Sequence, residues 1–95
     1  MERPLILIVD AESKIRRLLA QNLELEGFDV QTASDGAQAL EVYHKSVEKP
    51  DLILLDLMLP EIDGMTMLKR LRKSSDVPVI ILSAKDERPT VIEGF

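Results

Sequence analysis

Short apolar runs alternate along the chain with longer segments in which apolar residues recur every three or four positions. Short runs bounded by proline, glycine or acidic residues predict buried strands, and the longer periodic segments predict amphipathic helices. The predicted strands are Leu5–Val9, Phe28–Ala33, the run Asp51–Asp56, and Val77–Leu82. A helical segment follows each of the first three strands, so the pattern predicts one continuous β-α-β series of the α/β class.

Each predicted helix has one apolar face. The residues on that face are Ile15, Leu18, Leu19 and Leu23 in the first helix, Leu40, Tyr43 and Val47 in the second, and Met65, Leu68 and Leu71 in the third. Gly27 is predicted to end the first helix, because glycine readily adopts the left-handed conformation of a helix C-terminus. The last segment, with Val91, Ile92 and Phe95, is predicted to be the beginning of a fourth helix.

Polar side chains stand at the carboxyl ends of three predicted strands. Asp10 follows the first strand, Asp56 ends the third, and Ser83 follows the fourth. Right-handed crossovers bring the carboxyl ends of parallel strands to one edge of a sheet, so these side chains are expected to converge there. Two acids held close together repel each other, and a hard cation such as Mg²⁺ relieves that repulsion. A carboxylate beside such an ion can attack a phosphoryl group, and Ser83 could donate a hydrogen bond to the product.

Composition narrows the class of partner. A chain of 95 residues that is 45% hydrophobic can form one small domain. Its net charge of -5 disfavours direct contact with nucleic acid or an anionic membrane. The absence of cysteine excludes disulfides and thiolate metal sites, and the apolar run Leu5–Val9 is too short to span a membrane. We therefore expect a cytoplasmic domain that contacts other proteins.

In this order, the residues resemble the receiver domain of two-component response regulators, including the chemotaxis receivers. The resemblance rests on the segments 5–10, 33–36, 51–64 and 81–85. It implies a flavodoxin-like, doubly wound parallel sheet with strand order 2-1-3-4(-5). It also implies that residues 1–95 form one receiver domain that is incomplete at its C-terminal end, since the chain stops after the start of helix 4, before the family's fifth strand and last helix.

The resemblance assigns a role to each candidate residue. Asp56 would accept a phosphoryl group from a sensor histidine kinase or a phosphotransfer protein, and Ser83 would donate a hydrogen bond to that group. Asp10, Asp56 and the backbone carbonyl of Met58 would hold Mg²⁺. The domain would then be a phosphoacceptor switch that controls an output through its surface, and not an enzyme.

Ala11 departs from the family pattern, which usually has a metal-binding acid at this position. The Ala11 methyl group cannot coordinate a cation, so weaker Mg²⁺ binding is expected. We expect phosphorylation of Asp56 to be slow or absent unless Glu12 moves inward.

The end of the chain suggests a further property. Without a fifth strand, the strand Val77–Leu82 would be a sheet edge with unpaired backbone groups and uncovered apolar surface. We therefore expect self-association through this edge or through the helix 4 region.

Two alternatives to the switch remain open. A pseudo-receiver would act by protein contact alone, without phosphorylation. A haloacid-dehalogenase-like phosphotransferase would use Asp10 as its nucleophile, because Asp10-Ala11-Glu12-Ser13 is similar to that family's Asp-x-Asp-x-Thr/Val motif. Against the enzyme, Glu12 replaces the second aspartate and the chain is too short for a substrate cap. The residue that carries a phosphoryl group would discriminate among the three functions.

Overall fold

The computed structural model of the chain describes residues 3–57, 59, 63–82 and 90–92, the last three by their backbone. In chain order the elements are β1 (Leu5–Val9), α1 (Ser13–Leu25), β2 (Asp29–Ala33), α2 (Gly36–Lys45), β3 (Leu52–Asp56), α3 (Gly64–Leu71), β4 (Val79–Leu82) and β5 (Thr90–Ile92). The four predicted strands and the first three predicted helices are confirmed, with small shifts at the starts of β2, β3 and β4. In this described part of the chain, no helix is long and apolar enough to cross a membrane.

The strands form one sheet in the order β2-β1-β3-β4-β5. The first four strands are parallel, so the predicted order 2-1-3-4 of a flavodoxin-like sheet is confirmed. β1 lies between β2 and β3, and all five of its residues are buried. A central parallel strand is covered on both faces, which is why β1 is uniformly apolar.

The two faces of the sheet are covered unequally. On one face, α2 and α3 pack together over a core of strand and helix side chains, which includes Leu7, Ile53, Leu55, Tyr43 and Met67. α1 contacts β1 and β2 but contributes no residue to that core, which places it on the opposite face. The side chains of β1 alternate between the two faces, so that Ile6 and Ile8 point toward the α1 side.

Tyr43 links α2 to the loop that follows α3. Its hydroxyl lies 2.5 Å from the Ser75 hydroxyl, which also accepts a hydrogen bond of 3.1 Å from the Val77 N–H. The Lys49 ammonium lies 4.9 Å from the centroid of the Tyr43 ring. The ring is buried, and its polar groups are satisfied at the edge of the core. This contact fixes the loop from which β4 starts.

Four predicted inward side chains are exposed instead, and the least exposed of them is Ile15 of α1, at 36%. Val47 is fully exposed because α2 ends at Lys45. Met65 is 41% exposed, while Met67, Leu68 and Leu71 are buried together with Gly64. The buried stripe of α3 therefore begins at a glycine, which carries no hydrophobic signal, and the prediction is confirmed for Leu68 and Leu71 but wrong for Met65. On α1, Leu18 is 56% exposed, although Leu19 and Leu23 are half-buried.

The prediction of a fourth helix is wrong for residues 90–92. These residues form β5, which pairs antiparallel with β4 in the register Val79↔Ile92, Ile80↔Val91 and Ile81↔Thr90. Thr90, Val91 and Ile92 are all β-branched and favour an extended backbone, and pairing satisfies backbone groups of β4. Phe95 lies outside the described residues.

β5 also corrects the expectation of an unpaired β4 edge, because β4 now has neighbours on both sides. Self-association, and the incompleteness of the domain at its C-terminal end, stay predictions.

The start of α3 lies against the end of β3. The Gly64 N–H donates a hydrogen bond of 3.2 Å to the Leu57 carbonyl. A Cβ atom at Gly64 would lie 2.8 Å from the Asp56 carbonyl oxygen and 2.8 Å from the Leu57 Cα atom. Asp63 caps the helix, since its Oδ1 atom accepts a hydrogen bond of 2.8 Å from the Thr66 N–H. The close approach therefore requires glycine and fixes the backbone beside Asp56.

We predict that Gly64→Ala destabilises the protein, although alanine is the better helix former by about 1 kcal/mol. The new methyl group meets backbone atoms that cannot move by a rotamer change, so we expect a net loss of about 1–3 kcal/mol in the free energy of unfolding. Urea denaturation measures this loss. Ala37→Gly, at an exposed position in the first turn of α2, calibrates the helix-propensity contribution. A Gly64→Ala variant as stable as the parent would contradict the prediction.

Candidate functional site

The pairing of β1 with β3 brings two acids to the same edge of the sheet. Val9 pairs with Leu55, and Asp10 and Asp56 are the next residues of their strands. The Asp10 N–H donates a hydrogen bond of 3.1 Å to the Ala33 carbonyl of β2, so Asp10 continues the sheet by one residue. The two carboxylates are close enough for the charge of Asp56 to act on Asp10.

Asp10 is almost completely buried, with 6% of its surface exposed. Its Oδ1 atom accepts a hydrogen bond of 2.9 Å from the Glu12 N–H. Burial raises the pKa of the Asp10 carboxyl above its ordinary value, because the charged form is poorly solvated there. The Glu12 N–H opposes this rise, the negative charges of Asp56 and Glu12 add to it, and Arg16 lowers the pKa again. A buried acid beside a second acid makes this edge a candidate cation site.

Asp56 is half-buried at the end of β3, and its partner in β4 is Leu82. Ser83 follows Leu82 directly in the sequence. Ser83 and Met58, the other two candidate residues, lie outside the described residues. The structure therefore brings Asp10 and Asp56 together and describes neither of the other two.

Arg16 is a residue of this site that the sequence did not assign to it. Its Nη1 atom donates a hydrogen bond of 2.6 Å to the Asp10 backbone carbonyl. The Arg16 N–H bonds to the Glu12 carbonyl, which places Arg16 one turn into α1. Long side chains on a helix point back toward its N-terminus. A basic residue one turn into the helix that follows a strand-terminal acid is therefore the signal that could have identified Arg16.

The residues at this edge offer few candidate ligands for a cation. Asp10 and Asp56 supply carboxylates, Ala11 supplies none, and Glu12 is exposed. Within the described residues, no group of three or more His, Cys, Asp or Glu side chains could hold a metal ion. Mg²⁺ is commonly held by one or two protein carboxylates together with water, so this pair fits a weakly held ion.

A second concave region lies at the opposite edge of the sheet. This cavity of about 590 Å³ is lined by Arg3, Leu5, Lys49 and Asp51, among others. Its polar groups already have partners, since Asp51 accepts a hydrogen bond of 2.9 Å from the Leu5 N–H and Arg3 donates one of 3.0 Å to the Gly27 carbonyl. Those groups stabilise the fold by joining separate segments of the chain. The candidate site remains at Asp10 and Asp56.

Comparison with protein families matches residues 6–95 to the response regulator receiver domain. The curated relatives include the alkaline phosphatase synthesis transcriptional regulatory protein PhoP of Bacillus subtilis, which is 52% identical over 91 residues, or 95% of this chain. A probable transcriptional regulator ycf27 of Porphyridium aerugineum is 43% identical over the whole chain. The chain spans 37% and 39% of the lengths of these two relatives.

Solved structures give the same result. The receiver domain of the Francisella response regulator 1452 superposes with a TM-score of 0.80 at 39% identity, covering 88% of this chain and 69% of that one. TrrA of Thermotoga maritima, solved in complex with Mg²⁺ and BeF, has a TM-score of 0.78 at 36% identity, covering 85% of this chain and 70% of its own. Since the family match covers nearly every residue and the fold agrees, the chain belongs to the response regulator receiver domain family of two-component systems.

Proposed function

We propose that Asp56 accepts a phosphoryl group from the phosphohistidine of a sensor histidine kinase or phosphotransfer protein, and that this modification changes the surface of the domain to control an output. The observation that carries the proposal is the placement of Asp56 beside the buried Asp10 at the carboxyl edge of the sheet. Asp56 is half-buried and Asp10 is 6% exposed, so Asp56 is the more accessible acceptor.

Family membership supports the same function. Receiver domains are signalling domains and generally not enzymes, and they generally bind Mg²⁺ at the phosphorylation site. Response regulators interact with histidine kinases or phosphotransfer proteins. The name of the TrrA structure records a complex with Mg²⁺ and BeF, which is a precedent for Mg²⁺ in a related chain.

In the proposed reaction, an oxygen of the Asp56 carboxylate attacks the phosphorus of the phosphohistidine. The new P–O bond forms as the P–N bond breaks, and the departing imidazole takes up a proton. Asp10, Asp56 and the Met58 carbonyl would hold Mg²⁺, which would supply positive charge near the oxygens of the transferring group. We assign Ser83 a hydrogen bond to the phosphoryl group of the product.

Ala11 supports a second candidate function, the pseudo-receiver that acts by protein contact alone. The exposed methyl group of Ala11 adds no ligand to the acid pair, and the exposed Glu12 reaches Asp10 through its backbone N–H. Both features favour weak Mg²⁺ binding and slow phosphorylation.

The haloacid-dehalogenase-like enzyme has less support. Its nucleophile would be Asp10, which is buried and bonded to the Glu12 N–H.

We also propose the kind of partner, the location and the output of the domain. The net charge of -5 favours protein partners over direct contact with nucleic acid, and we expect the domain to work in the cytoplasm. The names of PhoP and ycf27 describe them as transcriptional regulators. Control of transcription is therefore the first output to test for a full-length protein that contains this chain.

We predict that acetyl phosphate labels Asp56 slowly and only when Mg²⁺ is near saturation. Intact-mass spectrometry should detect one added phosphoryl group, and peptide mapping should place it on Asp56. Asp56→Asn is the matched control, because it keeps the size of the side chain and removes the acceptor. A phosphoryl group on Asp10 would favour the enzyme instead, and no labelling at saturating Mg²⁺ would favour the pseudo-receiver.

We predict that Ala11→Asp strengthens Mg²⁺ binding by about tenfold or more, since it adds a carboxylate beside Asp10. The measurement is the Mg²⁺ concentration that gives half of the maximal labelling rate at Asp56. Ala11→Asn is the control of similar shape, and it should produce a smaller gain because a neutral amide is the weaker ligand. Equal behaviour of Ala11→Asp and the parent would remove Ala11 as the cause of weak binding.

We predict that Asp10→Asn stabilises the protein at pH 7 in the absence of divalent ions. The raised pKa of Asp10 means that the folded state binds a proton more tightly than the unfolded state does. The ionised carboxylate therefore lowers stability above the folded-state pKa, and this loss disappears as the pH falls toward the ordinary value of 3.8. Urea denaturation of both proteins from pH 7 to pH 4 should give a difference that shrinks with pH. A less stable Asn variant at pH 7 would contradict this.

A further inference from the structure

We propose that Arg16 is a fixed cation of the acidic site, which supplies part of the positive charge that a divalent ion provides and thereby weakens the binding of Mg²⁺ to Asp10 and Asp56. The inference deepens the proposed function and rests on it for the role of the acid pair in holding Mg²⁺. It assigns to Arg16 a positioning role at the site and not a catalytic one.

The first helix, α1, places the Arg16 guanidinium beside the backbone of Asp10. The Arg16 N–H bonds to the Glu12 carbonyl at 3.0 Å, so Arg16 lies in the first turn of the helix, and its side chain extends back toward the end of β1. There its Nη1 atom donates to the Asp10 carbonyl at 2.6 Å. This hydrogen bond attaches the guanidinium to the backbone of the acid whose carboxylate is the candidate ligand. Arginine stays charged at all accessible pH values, so the positive charge is permanent.

The charges that act on Asp10 come from two acids and one base. Among the described residues, the charged side chains that act on Asp10 are the acids Asp56 and Glu12 and the base Arg16. The guanidinium bonds to the carbonyl of Asp10, and the Glu12 N–H bonds to its carboxylate. Arg16 therefore compensates negative charge at the site without replacing the carboxylate as a ligand for Mg²⁺.

Arg17, the next residue of α1, does not share the position of Arg16 at the acidic site. Arg17 carries the same charge on the same helix, but it is rotated by about 100° around the helix axis. It is exposed, whereas Arg16 is half-buried against the end of β1. A general effect of positive charge on α1 would involve both residues, and the proposed effect involves Arg16 alone.

The consequence for Mg²⁺ is a repulsion that opposes its binding. A divalent ion between the acids would lie near the guanidinium, Ala11 adds no negative charge to offset that repulsion, and the Glu12 side chain is exposed. The site of this chain would then depend less on Mg²⁺ than a three-acid site to offset the repulsion between its carboxylates. It would also bind Mg²⁺ more weakly.

The test is a MgCl₂ titration of the full ¹⁵N-labelled chain at constant ionic strength. The amide signal of Glu12 reports binding, because this N–H is bonded to the Asp10 carboxylate. We expect Arg16→Gln to tighten Mg²⁺ binding by about three- to tenfold, because it removes a positive charge near the ion. Arg16→Lys, which keeps the charge, should match the parent within about twofold if its shorter donor group occupies the same region.

Arg17→Gln is the matched control, and it should leave the dissociation constant within about twofold of the parent because its charge is exposed and screened. The proposal is overturned if Arg16→Gln binds Mg²⁺ no more tightly than Arg17→Gln, or more weakly than the parent. Should Arg16→Gln fail to fold, Arg16→Met keeps the apolar stem and carries the same expectation. The titration uses no phosphodonor, so its result is independent of whether Asp56 is phosphorylated.

Discussion

Hydrogen bonding between β1 and β3 pairs Ile6–Val9 with Leu52–Leu55 in a parallel register. The acids at the ends of these strands are adjacent only in this register, since a slip of one residue would displace them by about 3.3 Å along the strands. Such a slip would also turn the apolar side chains of one strand to the wrong face. The burial of β1 and of alternate residues in β3 therefore maintains the acid pair. In this domain the hydrophobic core and the chemistry depend on the same pairing.

The positions of the strands and of the acid pair could be predicted from the sequence, because strand periodicity and the carboxyl-edge rule depend on local pattern alone. The faces of the helices were predicted less well. The stripe of α3 begins at Gly64, where no side chain marks it, and α2 ends before Val47 reaches the core. β5 was missed because a short β-branched segment takes its structure from the neighbour with which it pairs. Arg16 was missed because its role depends on where a long side chain ends, and sequence spacing does not define that position.

The electrostatics of the site combine two opposing requirements. The fold places Asp10 where its charged form is poorly solvated, and the same burial gives a bound cation a strong partner. The Glu12 N–H and Arg16 each offset part of that unfavourable charge from within the chain. A site that balances its own charge depends less on an added ion, and it also gains less from one. Under the proposed role of Arg16, receiver domains with similar folds would differ in metal dependence through residues that never coordinate the metal.

Tyr43 is the single tyrosine of a chain without tryptophan. Its ring is buried in the core, its hydroxyl meets Ser75, and the Lys49 ammonium lies over its face. The intrinsic ultraviolet fluorescence of the protein therefore originates at the junction of α2 with the loop before β4. Emission intensity and acrylamide quenching become site-specific probes of that junction, with no need for a fluorescent label.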